Sequence, residues 1–121
     1  MNIIPKSELP ERCPTRGFLY LIVSPTFPDI VKIGKTIEPQ KRIGQYNAYN
    51  PNNDFAFTYI SDVFDDYTEA ESQVLESLAR MNIKPCYNKE WFDIQYYDDI
   101  LSIIKHGRTS SLYYPLGRGE Q

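Results

Sequence analysis

Two strand-forming segments joined by a short turn constrain the fold of this chain more than any other feature. Residues 17–24 read GFLYLIVS, residues 25–29 read PTFPD, and residues 30–34 read IVKIG. β-Branched and aromatic residues favour strands, and a compact proline-containing turn between two such segments predicts a β-hairpin. We therefore expect a sheet whose first two strands are antiparallel.

Further helical and strand patterns follow the hairpin. Thr36 is a suitable helix cap, Pro39 suits a first helical turn, and Asn50 opens a polar cluster that ends the helix. Apolar residues at helical spacing, including Val74 and Leu78, predict a second helix. In chain order, the patterns predict a helix at about 39–47, a strand at 55–63, a helix from 66 or 68 to 81, a strand at 90–94 and a helix at 98–106.

These elements predict an α+β fold with a small central sheet of three to four strands, mainly antiparallel and flanked by helices. The length of 121 residues suits one compact domain. We divide the chain into an N-terminal arm at 1–16, a main domain at 17–95, and a C-terminal helix and tail at 96–121.

Composition excludes several classes of protein. The longest apolar run, residues 18–23, is far shorter than the roughly 20 residues that span a bilayer, and residues 1–14 lack the apolar segment of a signal peptide. We expect no membrane association and a cytoplasmic location, in the host cytoplasm if a phage or virus encodes the chain. Neither cysteine has a partner at metal-site spacing, so we expect no zinc site and no disulfide.

The charges are segregated along the chain although the net charge is only −3. Residues 31–46 carry four basic side chains against one acidic side chain, whereas all six charged residues at 61–76 are acidic. The low pI of about 5.1 argues against a protein that coats nucleic acid through bulk electrostatics. A small basic patch that contacts phosphate is compatible with the segregation, and so is chance asymmetry on solvated helix faces.

Four polar or aromatic residues form two pairs that core packing does not explain. Lys32 follows Val31 in the second strand, so the two side chains lie on opposite faces of the sheet. Tyr20 of the partner strand could point to the same face as Lys32. Arg42 and Tyr46 are four residues apart and share one face of a helix that has little apolar surface. A solvent-exposed strand face and a plain surface helix are the simpler alternatives.

Glu71 is the most informative position. On a helical period it falls in line with the inward stripe of Val74 and Leu78, whereas Glu76 falls outside that stripe. A carboxylate that points inward needs a partner, a proton or a metal ion, although a stabilising position near the helix N-terminus is a competing account. Asn88 lies in a loop, where asparagine is common.

Taken together, these residues resemble the GIY-YIG nuclease superfamily, and most closely its phage and viral branch. The first signature corresponds to residues 18–20, with Phe18-Leu19 in place of Gly-Ile, and the second to residues 32–34, with Lys32 in place of tyrosine. Arg42, Tyr46, Glu71 and Asn88 follow in the family's order, and residues 90–92 (EWF) match the branch's ending. The resemblance covers roughly residues 17–94.

The resemblance implies a DNA endonuclease that hydrolyses phosphodiesters, by nicking or double-strand cleavage, with one Mg²⁺ or Mn²⁺ ion. Its implied catalytic residues are Tyr20, Lys32, Arg42, Tyr46, Glu71 and Asn88, with Glu71 as the metal ligand. Tyr20 would position or deprotonate the attacking water. Lys32 is the alternative base, provided that burial and Arg42 lower its pKa. Gly34, Lys35 and Lys41 are expected to contact the substrate.

Two other functions remain open from the sequence. The chain could keep the fold without turnover, as a module that binds nucleic acid or protein, because a fold does not guarantee its chemistry. It could also be a subunit of a homodimer or a larger complex, in which residues 112–116 (LYYPL) of the tail dock on a partner.

Overall fold

A computed structural model describes residues 2–48 and 50–107 of the chain. Its centre is a four-stranded, wholly antiparallel sheet in the order β3-β1-β2-β4. The strands are β1 (Phe18–Val23), β2 (Ile30–Thr36), β3 (Ala56–Ile60) and β4 (Trp91–Asp93). The helices are α1 (Pro39–Ala48), α2 (Tyr67–Arg80) and α3 (Tyr97–Ser102), with 3₁₀ turns at Lys6–Glu8 and Ile94–Tyr96 and a π-helical turn at Ile103–Gly107. The predicted α+β fold is confirmed.

The sheet separates two apolar cores because side chains alternate along its strands. Leu19, Leu21, Val31 and Ile33 are fully buried on one face, where α2 and α3 cover them. The smaller core on the other face is formed by β1, β3, α1 and the N-terminal arm, and it consists of Leu9, Tyr20, Ile22, Ile43 and Phe57. Lys32 therefore lies on the α1 face, as its alternation with Val31 predicts.

The N-terminal arm runs along the α1 side of the sheet and is tied to it by backbone hydrogen bonds. Ile4 N–H donates to Phe57 O at 2.8 Å, and Cys13 N–H donates to Ile37 O at 2.9 Å. Leu9 inserts its side chain into the smaller core. Both cysteines are free thiols.

Local chemistry explains where the helices begin. Thr36 Oγ1 accepts a hydrogen bond from Glu38 N–H at 3.0 Å, and Pro39 then occupies the first position of α1. Asp66, rather than Thr68, is the N-cap of α2, since its carboxylate accepts from Glu69 N–H at 3.0 Å. No helix among the described residues is long and apolar enough to cross a membrane.

Some predicted boundaries differ from the structure. Strand β3 is shorter than 55–63 and ends at Ile60, because Leu19 N–H donates to the Ser61 hydroxyl instead of to a backbone oxygen. The predicted last helix divides into α3 and a π-helical turn, and both Ile103 and Ile104 are buried in the core. The predicted docking segment at 112–116 lies outside the described residues.

Candidate active site

A glycine in β2 makes room for a tyrosine of β1. Gly34 is the direct cross-strand partner of Tyr20, and a Cβ atom built on Gly34 would lie 2.2 Å from the Cζ and hydroxyl oxygen atoms of Tyr20. The phenol ring therefore lies across the backbone of β2 at this point. Glycine is required at position 34 because any side chain there would occupy the space through which Tyr20 extends across β2.

Helix α1 supplies the partner of that tyrosine. The hydroxyl groups of Tyr20 and Tyr46 share a hydrogen bond of 2.8 Å, and their rings meet edge to face. Burial raises the pKa of Tyr20 well above its ordinary value, and the neighbouring Tyr46 raises it further. Tyr20 is consequently a neutral phenol at physiological pH. It is suited to orienting a water molecule rather than removing a proton from one.

Lys32 is a partly buried cation. Its side chain is 17% exposed, its Nζ lies 3.0 Å from Glu90 Oε1, and it lies 5.6 Å from the centre of the Tyr46 ring. Burial alone would lower the pKa of Lys32, but the Tyr46 hydroxyl and the Glu90 carboxylate outweigh burial and raise it. The condition for Lys32 to act as a base, a lowered pKa, is therefore not met in this arrangement. It is suited to binding phosphate as an ammonium group.

Glu71 points inward from α2 and is only 5% exposed. One carboxylate oxygen, Oε1, accepts a hydrogen bond from Lys35 Nζ at 2.9 Å, whereas the buried Oε2 has no hydrogen-bond donor. Burial raises the pKa of Glu71; Lys35 counteracts this, and the nearby Glu90 adds to it. A buried carboxylate oxygen without a donor is costly, so Glu71 is poised to take a proton or a cation.

Glu90 is a site residue that the sequence prediction missed. It stands directly before β4 and accepts a hydrogen bond from Ile33 N–H at its backbone oxygen, 3.0 Å away. Burial works to raise the pKa of Glu90, but its hydrogen bond and charge interaction with Lys32 lower it overall. With Glu71 protonated, the two carboxyl groups are able to share a hydrogen bond. The signal for Glu90 was its place at the start of an edge strand that pairs with β2.

The side chains converge on a cleft of about 220 Å³. It is lined by Tyr20, Lys32, Gly34, Lys35, Arg42, Glu71 and Glu90. Strand β4 pairs with residues 30–32 of β2, and the Glu90 oxygen extends the pairing to Ile33. The edge of β2 is therefore open from residue 34, and side chains from both faces of the sheet meet there. Arg42 reaches the cleft from α1, and its Nε is buried without an acceptor.

Three predicted site residues do not line this cleft: Tyr46 reaches it only through its hydrogen bond to Tyr20, and Asn88 and Lys41 lie outside it. Asn88 is exposed in the turn between Tyr87 and Trp91, where it adopts a φ of 53° that asparagine tolerates well. Its place in the structure is thus explained by turn geometry. Lys41 is exposed and lines a neighbouring polar pocket together with Lys35 and Arg42, so it extends the basic surface beside the cleft.

The carboxylates of the cleft fit a magnesium-type ion. Within residues 2–48 and 50–107, no group of three or more histidine, cysteine or acidic side chains is arranged around a common point. Mg²⁺, however, usually takes one or two carboxylates and keeps several waters. Glu71, through its unpartnered Oε2, and the adjacent Glu90 supply such a pair. Lys35 now neutralises part of that charge.

Comparison with known proteins gives one family. A family model described as the T5orf172 domain matches residues 17–108. This span covers most of the chain and includes every residue that lines the cleft. No curated protein and no solved structure matches the chain significantly.

Proposed function

The chain belongs to the T5orf172 domain family, and we propose that its cleft is the active site of a metal-dependent DNA endonuclease of GIY-YIG type. Two lines of argument support the proposal. The ordered residues of the sequence resemble that superfamily from 17 to 94. Five of the residues implied by this resemblance, Tyr20, Lys32, Arg42, Tyr46 and Glu71, lie in the cleft or within one hydrogen bond of it.

One observation carries the proposal: a buried acidic group faces several cations across a small cleft. Glu71 Oε2 has no donor, and Arg42 Nε has no acceptor, although both atoms are buried. These two unpaired atoms in one cleft are explained if a bound metal ion pairs with Glu71 Oε2 and a phosphate oxygen accepts a hydrogen bond from Arg42 Nε. Thr58 Oγ1 is also buried without a partner, so the cleft is distinguished by an unpaired acceptor and an unpaired donor of opposite charge that lie in it together.

The side chains divide the work of phosphodiester hydrolysis. Arg42 binds the scissile phosphate through its planar guanidinium group and stabilises the extra negative charge of the transition state. Lys32 holds a second phosphate oxygen as an ammonium group, since its pKa is raised. Tyr20 keeps its proton and orients the attacking water through its hydroxyl oxygen, while Tyr46 fixes the direction of that hydroxyl. The bond from the water oxygen to phosphorus forms as the bond to the leaving oxygen breaks. Because Tyr20 and Lys32 stay protonated, the attacking water gives its proton to bulk water, and the leaving oxygen takes one up from bulk water.

Glu71 would hold a Mg²⁺ or Mn²⁺ ion, with Glu90 as the second carboxylate of the site. When bound, the ion supplies positive charge that offsets the charge on the phosphate and on the leaving oxygen. Binding requires ionised Glu71, and because the pKa of Glu71 is raised, binding releases the proton wherever this carboxyl group is still protonated. Lys35 has a 36% exposed side chain and is free to turn towards a phosphate when a cation replaces it.

A second candidate function rests on the same ion pair. Lys35 Nζ lies 2.9 Å from Glu71 Oε1, so one carboxylate oxygen already has a cationic partner within the protein. This pairing favours a module that binds nucleic acid without cutting it, since Glu71 then has a purely structural partner.

Plasmid nicking distinguishes the two functions. Purified protein is incubated with supercoiled plasmid in Mg²⁺, in Mn²⁺ or in excess chelator, and open circles are quantified on a gel. The endonuclease nicks the plasmid only with a divalent ion. Retarded plasmid that stays supercoiled under all three conditions would favour the binding module.

A further inference from the structure

A second surface, next to the cleft, is built from aromatic side chains. Phe27, Phe55, Tyr87 and Trp91, together with Ile30, line a shallow depression of about 370 Å³. Phe27 is 48% exposed and Tyr87 is 62% exposed, which is unusual for large apolar side chains. We refer to the four aromatic residues as the aromatic platform.

The aromatic platform is continuous with the cleft. The Tyr46 ring, whose hydroxyl bonds Tyr20, lies 5.4 Å from the Phe55 ring, and the Phe55 ring lies 6.2 Å from that of Trp91. Trp91 also follows directly on Glu90, which lines the cleft. A DNA strand with a phosphate in the cleft therefore has a neighbouring base within reach of the aromatic platform.

Polar contacts hold part of the aromatic platform in place. Asp54 accepts hydrogen bonds from the side chains of Ser24, Thr26 and Asn50, and so ties the hairpin turn to the loop before β3. These two loops carry Phe27 and Phe55, whose rings are nearly parallel, with an interplanar angle of 21° and a centroid distance of 6.2 Å. The exposed rings are thus fixed in position before any ligand binds.

The flank of the aromatic platform on the side of Tyr87 suits a nucleic acid, whereas Asp54 on the other side is already engaged by three hydrogen bonds. The loop at 82–89 carries Tyr87, two lysines and no acidic residue. Lys84 and Lys89 are exposed, and neither forms a salt bridge within the part of the chain that the structure describes. Lysines that flank an exposed ring combine phosphate binding with base stacking, the usual pattern of single-strand recognition. An apolar protein partner would not require this basic flank.

We propose that the aromatic platform stacks on unpaired bases of the DNA strand whose phosphate lies in the cleft, so that DNA with unpaired bases at the cleavage site is preferred over fully paired DNA. This proposal rests on the proposed function for the identity of the ligand. The faces of paired bases are covered by their neighbours in a duplex, whereas unpaired bases are free to stack on protein rings. The preference for unpaired bases then follows from the aromatic platform and requires no separate DNA-reading domain.

The single tryptophan of the chain makes this stacking observable without cleavage. Trp91 fluorescence is recorded in excess chelator while a short duplex with a central thymidine bulge is added. The matched probes are the fully paired duplex and the same bulge with abasic residues. We expect the thymidine bulge to quench Trp91 and to bind more tightly than either matched probe. Equal binding and equal quenching by all three probes would overturn the proposal.

A pair of variants tests the same point at the protein surface. Tyr87→Ser should weaken binding of the thymidine bulge by about fivefold to a hundredfold, the range for losing one base-stacking ring. Met81→Ser is the matched control, because Met81 is a similarly exposed apolar side chain at the end of α2 and lies outside the aromatic platform. An equal effect of both substitutions would contradict the stacking role.

The outcomes separate this proposal from the proposed function. Cleavage of paired plasmid together with unchanged Trp91 fluorescence would keep the endonuclease and remove the stacking role. Bulge-specific quenching without any cleavage would keep the stacking role on a binding module. The remaining alternative is that a second copy of the chain occupies the aromatic platform, which is tested by measuring the mass of the native protein and of Tyr87→Ser by sedimentation. A dimer that dissociates on substitution would assign the aromatic platform to a second copy.

Discussion

Replacing Gly34 by alanine should distort the candidate active site and destabilise the whole sheet. The new Cβ would lie 2.2 Å from the Tyr20 ring, whereas ordinary van der Waals contact begins at 3.4 Å. The ring must therefore retreat by more than 1 Å (3.4 − 2.2 Å). It has little room, because Tyr20 is 1% exposed and its ring packs 5.0 Å from that of Phe57.

The size of the effect follows from two contributions. Overpacking of a dense core costs about 1–3 kcal/mol, and losing the hydrogen bond between Tyr20 and Tyr46 costs about 0.5–1.5 kcal/mol. We expect Gly34→Ala to lower the free energy of unfolding by about 1.5–4.5 kcal/mol, measured by urea denaturation followed by far-ultraviolet circular dichroism. DNA cleavage should fall as well, since Tyr20 moves within the cleft.

Two further variants make the test specific. Gly44→Ala is the matched control, because a Cβ at Gly44 meets nothing within 4 Å and alanine favours the helix by about 1 kcal/mol. In a Tyr20→Leu background the clash is absent, so adding Gly34→Ala should cost less than about 1 kcal/mol. The reasoning is refuted if Gly34→Ala unfolds within about 0.5 kcal/mol of the native protein, or costs the same with and without the Tyr20 ring.

Three further predictions concern charged groups. Because the pKa of Glu71 is raised in the folded protein, the free energy of unfolding should fall as pH rises from the ordinary pKa of 4.5 through the folded pKa. In urea unfolding, Glu71→Gln should make this fall smaller, whereas Glu76→Gln should leave it unchanged. Lys32→Arg should retain more DNA cleavage than Lys32→Met, because the site uses a cation; equal loss in both variants would return the base role to Lys32. The hydrogen bonds from Ser24 and then Thr26 lower the pKa of Asp54, so the stability it provides is complete above the ordinary 3.8 and is lost as pH falls through the folded value. Asp54→Asn should therefore reduce the loss of stability in acid, and an unchanged acid limb would contradict the role given to this carboxylate.

Local patterns in the sequence were sufficient for most of the fold. The hairpin, α1 and α2 each depend on residues close together in the chain, and the structure confirms all three. The inward position of Glu71 was also predictable, since helical periodicity alone placed it with Val74. The π-helical turn after α3 was not predictable, because the apolar spacing of Ile103 and Ile104 is equally compatible with a continuous α-helix.

Contacts between residues far apart in the chain explain which features of the site were not predicted from the sequence. Glu90 reaches Lys32 only because β4 pairs with β2, a contact between residues 58 positions apart. The raised pKa of Lys32 depends on the same contact and on Tyr46 of α1. Asn88 followed the order of the motif, yet a positive φ places it in a turn outside the cleft. Order along the chain therefore identified most of the site, but not its electrostatics.

The relative nicking rates of two pairs of variants test the central claim most directly. Glu71→Gln and Arg42→Ala remove the two cleft residues with unpaired buried atoms, and Glu76→Gln and Arg80→Ala change an exposed ion pair on α2. With plasmid and Mg²⁺ in excess, we predict that each cleft substitution slows nicking by about 100-fold or more, while each control keeps the native rate. Native rates in all four variants would show that the cleft is not where DNA is cut.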